Sequence, residues 1–308
     1  MLILKDFLDA FFKKKYKFIS INIATAAFSI LIALNLPNKY IASAVLVPID
    51  NSKQLSSSLD VFSNLSGGLT DFAGIDLPTS GSNVSDYAFA SLNSMEIIRE
   101  LMEIETFREN IFASKRVNLK TGEISYKKSL FNSEEGKWVR NPKGTQKVIP
   151  SYQEIYEKKL KYDLEITQDR KTKFISVSFE HISPNFAYEF LNAFISKANN
   201  IAREKDILTS ERAIEFLNEQ YYLIENKNAL DTLSKLKEDQ LKTLMLANVN
   251  ENYLLKPIGP VFIPEIKSSP NRPLLCILIT LFGIIFSSLW VILSDHKINK
   301  ALRKYLDI

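Results

Sequence analysis

Two stretches of this 308-residue chain carry no charge at all, and they restrict its folds more than any other feature. Residues 18–36 (FISINIATAAFSILIALNL) and 274–293 (LLCILITLFGIIFSSLWVIL) are 19 and 20 residues long. A helix rises about 1.5 Å per residue, so each run spans about 30 Å, the hydrocarbon thickness of a bilayer. Backbone amides in lipid must pair within their own segment, which a helix achieves. Both runs therefore predict transmembrane helices. For the second, the alternative of a buried core helix is disfavoured by an uncharged run of this length. For the first, the rival is a cleaved signal peptide, with Lys13, Lys14, Lys15 and Lys17 ahead of it and an A-x-A match at Ala42 and Ala44. Its apolar run exceeds the roughly 7–15 residues of a signal sequence, and the A-x-A lies inside YIASAVLV, a strand pattern. An uncleaved anchor is expected.

Charge orients the two spans. Residues 1–17 carry five lysines against two acids, and residues 294–308 carry four Lys/Arg against two acids. Residues 37–273 hold 30 basic and 31 acidic side chains. Basic residues next to membrane ends stay cytoplasmic, so both tails are expected inside and residues 37–273 outside. Tyr16, Tyr40 and Trp290 fall near span ends, where aromatic rings favour the interface. The basic balance is then a juxtamembrane effect, and nucleic acid is not an expected partner. A composition of 46% hydrophobic and 24% charged residues excludes wholesale disorder. One cysteine and two histidines leave no material for a Cys/His zinc site or an intrachain disulfide.

The segment between the spans reads as a small sheet with long helices. Residues 40–47 are a strand pattern directly after the first span. Residues 50–85 are rich in Ser, Gly and Asp and predict a long loop. Residues 86–110 predict a helix with Leu92, Met95, Ile98 and Met102 on one face. Residues 115–150 read as polar and irregular, and 151–160 as a short helix. Tyr162, Leu164 and Ile166 alternate with polar residues, as do Ile175, Val177 and Phe179, which predicts a β-hairpin with one buried face. Ser183 and Pro184 supply an N-cap and a first-turn proline. The stripe that follows (Ala187, Phe190, Leu191, Phe194, Ile195, Ala198, Ile201) has a period of 3.6 and can cover the sheet.

The helical pattern continues from 184 to about 250 without proline or glycine beyond its first residue. A break near residues 225–228 would make an antiparallel hairpin; a continuous rod would be roughly 100 Å long. A long outward helix with a shorter return is favoured, because the chain must come back to a second span. Such a helix has little core of its own, so its stripe needs the return leg or neighbouring copies. The chain returns through Pro257, Pro260, Pro264, Pro270 and Pro273, with residues 258–263 as a candidate last strand, confined to an edge or bulge by Pro260.

Four stretches in this order resemble the Wzz-type chain-length determinants, the polysaccharide co-polymerases of Gram-negative inner membranes. They are YIASAVLVPID after the first span; FSNLSGGLTDFAGIDLP followed by ASLNSMEIIREL; KFISVSFEHISPNFAYEFLNAFISKANNIAREKDILTSERAIEFL; and YLLKPIGPVFIPEIKSSPNRPLLCILITLFG entering the second span. The resemblance implies an α+β membrane protein, with transmembrane helices at 18–36 and 274–293 flanking a periplasmic α/β base domain at 37–273. It also implies a long protruding helix or helical hairpin at about 184–250. It further implies a ring-like homo-oligomer that sets the chain length of O-antigen or a related lipopolysaccharide glycan. Its partners would be a membrane polysaccharide polymerase, a lipid-linked glycan and the bilayer of a bacterial inner membrane. A second expectation within the same superfamily is a polysaccharide export adaptor for capsule or exopolysaccharide, working with an outer-membrane channel. Some members carry a tyrosine kinase after the second span. Here 15 residues follow it and no G-x-x-x-x-G-K-[ST] motif occurs, so no autokinase is expected.

No catalytic constellation, metal site or cofactor site is expected. Cys276 reads as a small filler in the second span, and His181, at a strand end before Ser183, as a surface or capping residue. His296 has no neighbouring ligand in sequence. An enzyme needs positioned acid, base or nucleophile groups, and none emerges. The expected assembly and partner contacts are Pro264, Pro270, Arg272, Pro273, Gly283 and Ser287. Gly283 and Ser287 form a small-xxx-small pattern that permits close helix approach, although ordinary membrane composition produces such pairs too. Asn22 could hydrogen-bond across helices, and Asn35 could reach the interface. Arg272 could pair with lipid phosphate or a partner acid, or simply snorkel. Pro270 and Pro273 would fix the angle at which the chain enters the membrane. Residues 50–114 hold ten acids and three bases, whereas 115–147 hold nine bases and three acids. That polarity fits complementary faces between protomers, a basic surface for sugar phosphates, or a solvated basic loop.

Overall fold

The computed structural model describes residues 15–49, 83–224 and 226–293. Most of both tails and of the Ser/Gly-rich loop expected at 50–85 lies outside the described residues. The chain divides into two compact units, one formed by its two ends, through Lys39 and from Ile266, and one running Tyr40–Glu265.

The first unit contains two helices, α1 (Lys15–Asn35) and, last in the chain, α9 (Arg272–Leu293). Both are long and apolar enough to cross a membrane, and only 11% of each apolar window is buried. The large apolar side chains of both helices, among them Ile23, Phe28, Leu34, Phe282 and Phe286, are exposed. A soluble core helix would cover them with protein; lipid does so for a span.

The second unit is built on a four-stranded antiparallel sheet of order β6-β7-β1-β8, with β1 Tyr40–Pro48, β6 Leu164–Gln168, β7 Ile175–His181 and β8 Leu255–Pro257. In β1, Tyr40, Ala42, Ala44 and Leu46 are buried and Ile41 and Val45 exposed, the alternation of a strand with one covered face. The expected hairpin forms, with Leu164 opposite Phe179 and Ile166 opposite Val177. Asp169 builds its turn: its Oδ1 accepts from the amides of Lys171 and Thr172, which holds the carboxyl below its ordinary pKa. Tyr162 is not on that strand. It lies in the helical turn α6 (Lys161–Asp163), which follows α5 (Tyr152–Ile155), and is 78% exposed.

Helix α7 (Pro184–Tyr221) covers the sheet. Ser183 caps it by accepting from the Phe186 amide, and Pro184 opens it, where the missing N–H is lost at no expense. Phe186, Ala187, Phe190, Leu191, Phe194, Ile195 and Ala198 are all buried. The Phe190 ring stacks on Phe179 of β7 at 3.9 Å between centroids. After a turn, α8 (Lys227–Val249) runs back along α7. Asn218 meets Lys237 and Arg203 meets Asn250, a pairing that fixes an antiparallel hairpin. Asn226 caps α8 through the Asn228 amide.

Three local expectations are corrected. Residues 86–110 are not one helix but three: α2 (Asn83–Leu92), α3 (Met95–Leu101) and α4 (Phe107–Phe112). Ser94 captures the Glu96 amide and starts a new helix, and Thr106 adopts a left-handed φ of 68°. Residues 115–150 are not irregular throughout. Two small hairpins form, β2 (Ser114–Val117) with β3 (Ile124–Tyr126) and β4 (Phe131–Asn132) with β5 (Lys137–Trp138). Trp138 anchors the second one, edge-on to Phe131 and donating Nε1–H to Glu109. The last strand precedes its expected position at 258–263. β8 pairs its Pro257 with Leu46, and only the Ile258 amide extends the ladder, to Val45. Pro260 has no amide with which to continue it.

Candidate functional site

The expected site residues at the chain's C-terminal end gather in the first unit, against α1. Residue pairs along the helices and the segments next to them run antiparallel: Lys17 with Trp290, Asn22 with Ser287, Thr25 with Gly283, Asn38 with Arg272 and Lys39 with Ser269. At Gly283 the backbone of α9 stands close against Thr25 of α1. A Cβ added there would stand 2.4 Å from Thr25 Oγ1 and 2.8 Å from Thr25 Cβ. Asn22 Nδ2 donates to Ser287 Oγ at 3.0 Å and to Phe18 O at 2.9 Å. Ser29, Ala33 and Ser287 are each at most 3% exposed. The seam is thus lined by small and polar side chains that let two backbones approach. Gly283 and Ser287, expected at a partner contact, face the chain's own first span. Thr25, Ser29 and Ala33 complete the seam at four-residue spacing, a signal present in the sequence but overlooked there.

At the other end of the hairpin the connection is clamped. Lys39 N donates to Ser269 O, and Ser268 N donates back to Lys39 O, both at 2.9 Å. Arg272 is half-buried and donates from Nη2 to Asn38 Oδ1 at 3.0 Å; its Nε is buried with no hydrogen-bond partner among the described residues. Pro273 occupies the first turn of α9, and Asn271 Oδ1 accepts from the Leu274 amide. The Ser269–Pro270 peptide is cis. Asn35 turns back to Leu31 O. Pro264 belongs to the other unit and is half-buried in the proline-rich return.

In the Tyr40–Glu265 unit His181 and Glu154, like Asp169 in its turn, have pKa values displaced by structural contacts. His181 is buried, not at the surface. Its Nδ1 accepts from the Ser183 amide at 3.1 Å, so the ring proton sits on Nε2, which faces Asn110 O at 2.9 Å. Burial lowers its pKa to about 4, so it is a neutral pin between the start of α7 and α4. Glu154 takes a bidentate contact from Arg140, 2.6 Å to each oxygen, and a third from Lys158 at 2.8 Å. The hydrogen bonds from Arg140 chiefly hold its pKa down to about 2. Among the described residues no group of His, Cys, Asp and Glu is placed to hold a metal ion.

Beside this ion pair lies an open hollow of about 770 Å³. Phe112 and Leu130 give it an apolar part. Lys127, Arg140, Lys143, Lys158 and Lys159 line it against a single acid, Glu157. The hollow joins the basic 115–147 stretch to the helical turns at 152–163, which include one π turn, Tyr156–Leu160. Of the readings drawn from the charge pattern, this geometry bears on the basic surface.

No protein-family model matches the chain, and no curated protein matches it. Among solved structures it is similar to a full-length bacterial polysaccharide co-polymerase, at 12% identity over 97% of each chain, with a TM-score of 0.38. It is similar to a fragment of WzzB, a polysaccharide co-polymerase from Salmonella Typhimurium, at 13% identity over 75% of this chain and 100% of that one, with a TM-score of 0.35. A mutant of the Shigella flexneri lipopolysaccharide O-antigen chain-length regulator gives 9% identity over 75% and 100%, with a TM-score of 0.25.

Proposed function

We propose that this chain is a two-span inner-membrane protein of the polysaccharide co-polymerase type. In this reading it acts as a non-enzymatic homo-oligomeric scaffold that sets the chain length of a lipid-linked glycan together with a membrane polymerase. Both termini lie in the cytoplasm and the Tyr40–Glu265 unit in the periplasm. The observation that carries the reading is the order of elements along the chain. A span leads into a central strand; a β-hairpin and a Ser-Pro-capped helix with an antiparallel return follow; then an edge strand and a proline-rich segment enter a second span. The first, third and fourth stretches of sequence resemblance fall on these elements in the same order; of the second, ASLNSMEIIREL falls on α2 and α3 and the rest lies outside the described residues. Exposed apolar side chains along the helical hairpin (Leu208, Phe216, Leu241, Met245) support contact between copies.

Deleting the gene tests it. Glycan synthesis is expected to continue with an altered modal length on a sugar-ladder gel. Loss of all polymer with intact precursor would instead indicate polymerisation or export, and an unchanged ladder would refute the reading. Reporter fusions within residues 40–265 are expected to be active outside the cytoplasm, and fusions at either terminus inactive there.

A further inference from the structure

The open hollow carries more positive charge than the fold uses. Arg140 is spent on structure: Nε donates to Val148 O, and its terminal nitrogens serve Glu154 and Lys147 O. Glu157, the one acid in the lining, is paired with Lys161 at 3.2 Å. Lys127 and Lys143 are exposed and take part in none of the ion pairs among the described residues. Gathering like charges in a concavity opposes folding unless an anion neutralises them. The hollow also has a second chemistry. Tyr162 lines it with its ring 78% exposed, offering an apolar face with a polar tip. Asn141 and Gln146 add amides that can both donate to and accept from hydroxyls. The wall that supplies Lys158 is the π turn, a rare geometry found often at functional sites. A volume of about 770 Å³ falls within the roughly 300–1,000 Å³ of ligand sites.

The geometry points to a binding site for an anionic carbohydrate segment, with carboxylate or phosphate oxygens held by Lys127 and Lys143 and a sugar ring stacked on Tyr162. This rests on the proposed function for the carbohydrate; the charge and the aromatic face are the hollow's own. A flat acidic protein surface would use the cations but not the concavity or the ring.

The test uses the full chain in nanodiscs of uncharged phosphatidylcholine. Fluorescence anisotropy follows a labelled galacturonate hexamer, with unlabelled galacturonate hexamer, monomeric galacturonate, maltohexaose, glucose 1-phosphate and glutamate hexamer as competitors. The hexamer is expected to bind, and maltohexaose to compete at least tenfold more weakly than unlabelled galacturonate hexamer. Lys127→Ala with Lys143→Ala is expected to weaken binding about tenfold or more, since a hydrogen bond to a charged group is worth roughly a factor of ten. Tyr162→Ala is expected to weaken it as well. Lys115→Ala with Lys120→Ala, equally basic and outside the hollow, leaves binding unchanged, and equal melting temperatures establish that all variants fold. Competition by glucose 1-phosphate stronger than by monomeric galacturonate assigns the phosphate form, and the reverse assigns the carboxylate form. No binding, an equal loss in the control pair, or glutamate hexamer competing as well as galacturonate overturns the site. That result would leave the ladder phenotype of the gene deletion intact, whereas an unchanged ladder removes the proposed function whatever the hollow binds.

Discussion

Gly283→Ala is expected to loosen the membrane hairpin without impairing insertion. The added Cβ meets Thr25 Oγ1 at 2.4 Å, Cγ2 at 3.0 Å and Cβ at 2.8 Å, where ordinary contact starts at 3.4 Å. Rotation about χ1 can remove the first two, but Thr25 Cβ is fixed to the backbone. A separation of about 0.6 Å, and up to about 1 Å if the rotamer stays, must therefore come from the helices moving apart. A gap of 0.5–1 Å forfeits a quarter to a half of each facing dispersion contact, so about 20 atom pairs at ~0.15 kcal/mol would lose roughly 1 kcal/mol. The Asn22–Ser287 hydrogen bond would stretch from 3.0 Å past its useful range, for a further ~0.6 kcal/mol. The assay is the initial rate of disulfide formation between Asn22→Cys and Ser287→Cys in a Cys276→Ser background. That pair removes the hydrogen bond, so the rate reads the ~1 kcal/mol packing share alone, about fivefold. Thr25→Gly, which deletes the obstructing Cβ, is expected to restore the rate, and Thr25→Ala, which keeps it, to restore little. A Gly283→Ala hairpin that cross-links at the parental rate, or one that Thr25→Ala rescues as fully as Thr25→Gly, would refute the reasoning.

Asn199→Leu is expected to destabilise the Tyr40–Glu265 unit by about 3 kcal/mol or more, because it strands the amides of Leu254 and Leu255 and the Leu255 carbonyl in the interior; chemical denaturation of the full chain in detergent measures it. His181 lowers stability as the pH falls from 6.5 to about 4, because there the unfolded chain takes up a proton that the buried ring refuses. The melting temperature of the wild type is expected to drop across that window by more than that of His181→Gln, and parallel profiles would refute the assignment.

Much of the architecture was legible because its signals are long. The uncharged apolar runs extend over 19 and 20 residues, and the alternation in Ile175, Val177 and Phe179 and the stripe from Phe186 to Ala198 each repeat a period that burial follows. Short elements escaped for the complementary reason. β4 and β5 are two residues each, too brief for any period, and are held by the Trp138 and Phe131 rings rather than by pattern. Asn199 was invisible because it sits beside the apolar stripe as a polar residue. Its meaning appears only when β8, more than fifty residues later, brings three backbone groups to its amide. The break at Ser94 could have been read, since a serine directly before an apolar residue with an acid in the following turn is an N-cap signal, but the apolar face of Leu92, Ile98 and Met102 continues across it.

The candidate sites show why a motif or a charge count does not by itself name a partner. Gly283 and Ser287 signal a close helix approach, and that approach is realised with Thr25 and Asn22 of the same chain. A small-xxx-small pattern specifies distance; chain connectivity supplies the nearest helix to satisfy it. Arg272, read as a hand extended to lipid or to another protein, has Asn38 within reach for the same reason. Charge behaves likewise. The surplus of bases along 115–147 is real, but only Lys127, Arg140 and Lys143 of that stretch line the hollow, and Arg140 is consumed by Glu154. Lys158 and Lys159 come from the helical turns at 152–163, where three lysines and three acids cancel in sequence. In space the pairing is uneven: Glu154 turns inward and takes both Arg140 and Lys158, and Glu157 pairs with Lys161. A field is set by which charges face one cavity and which are already paired, so the surplus of the hollow is carried by Lys127 and Lys143 and not by the count along either segment.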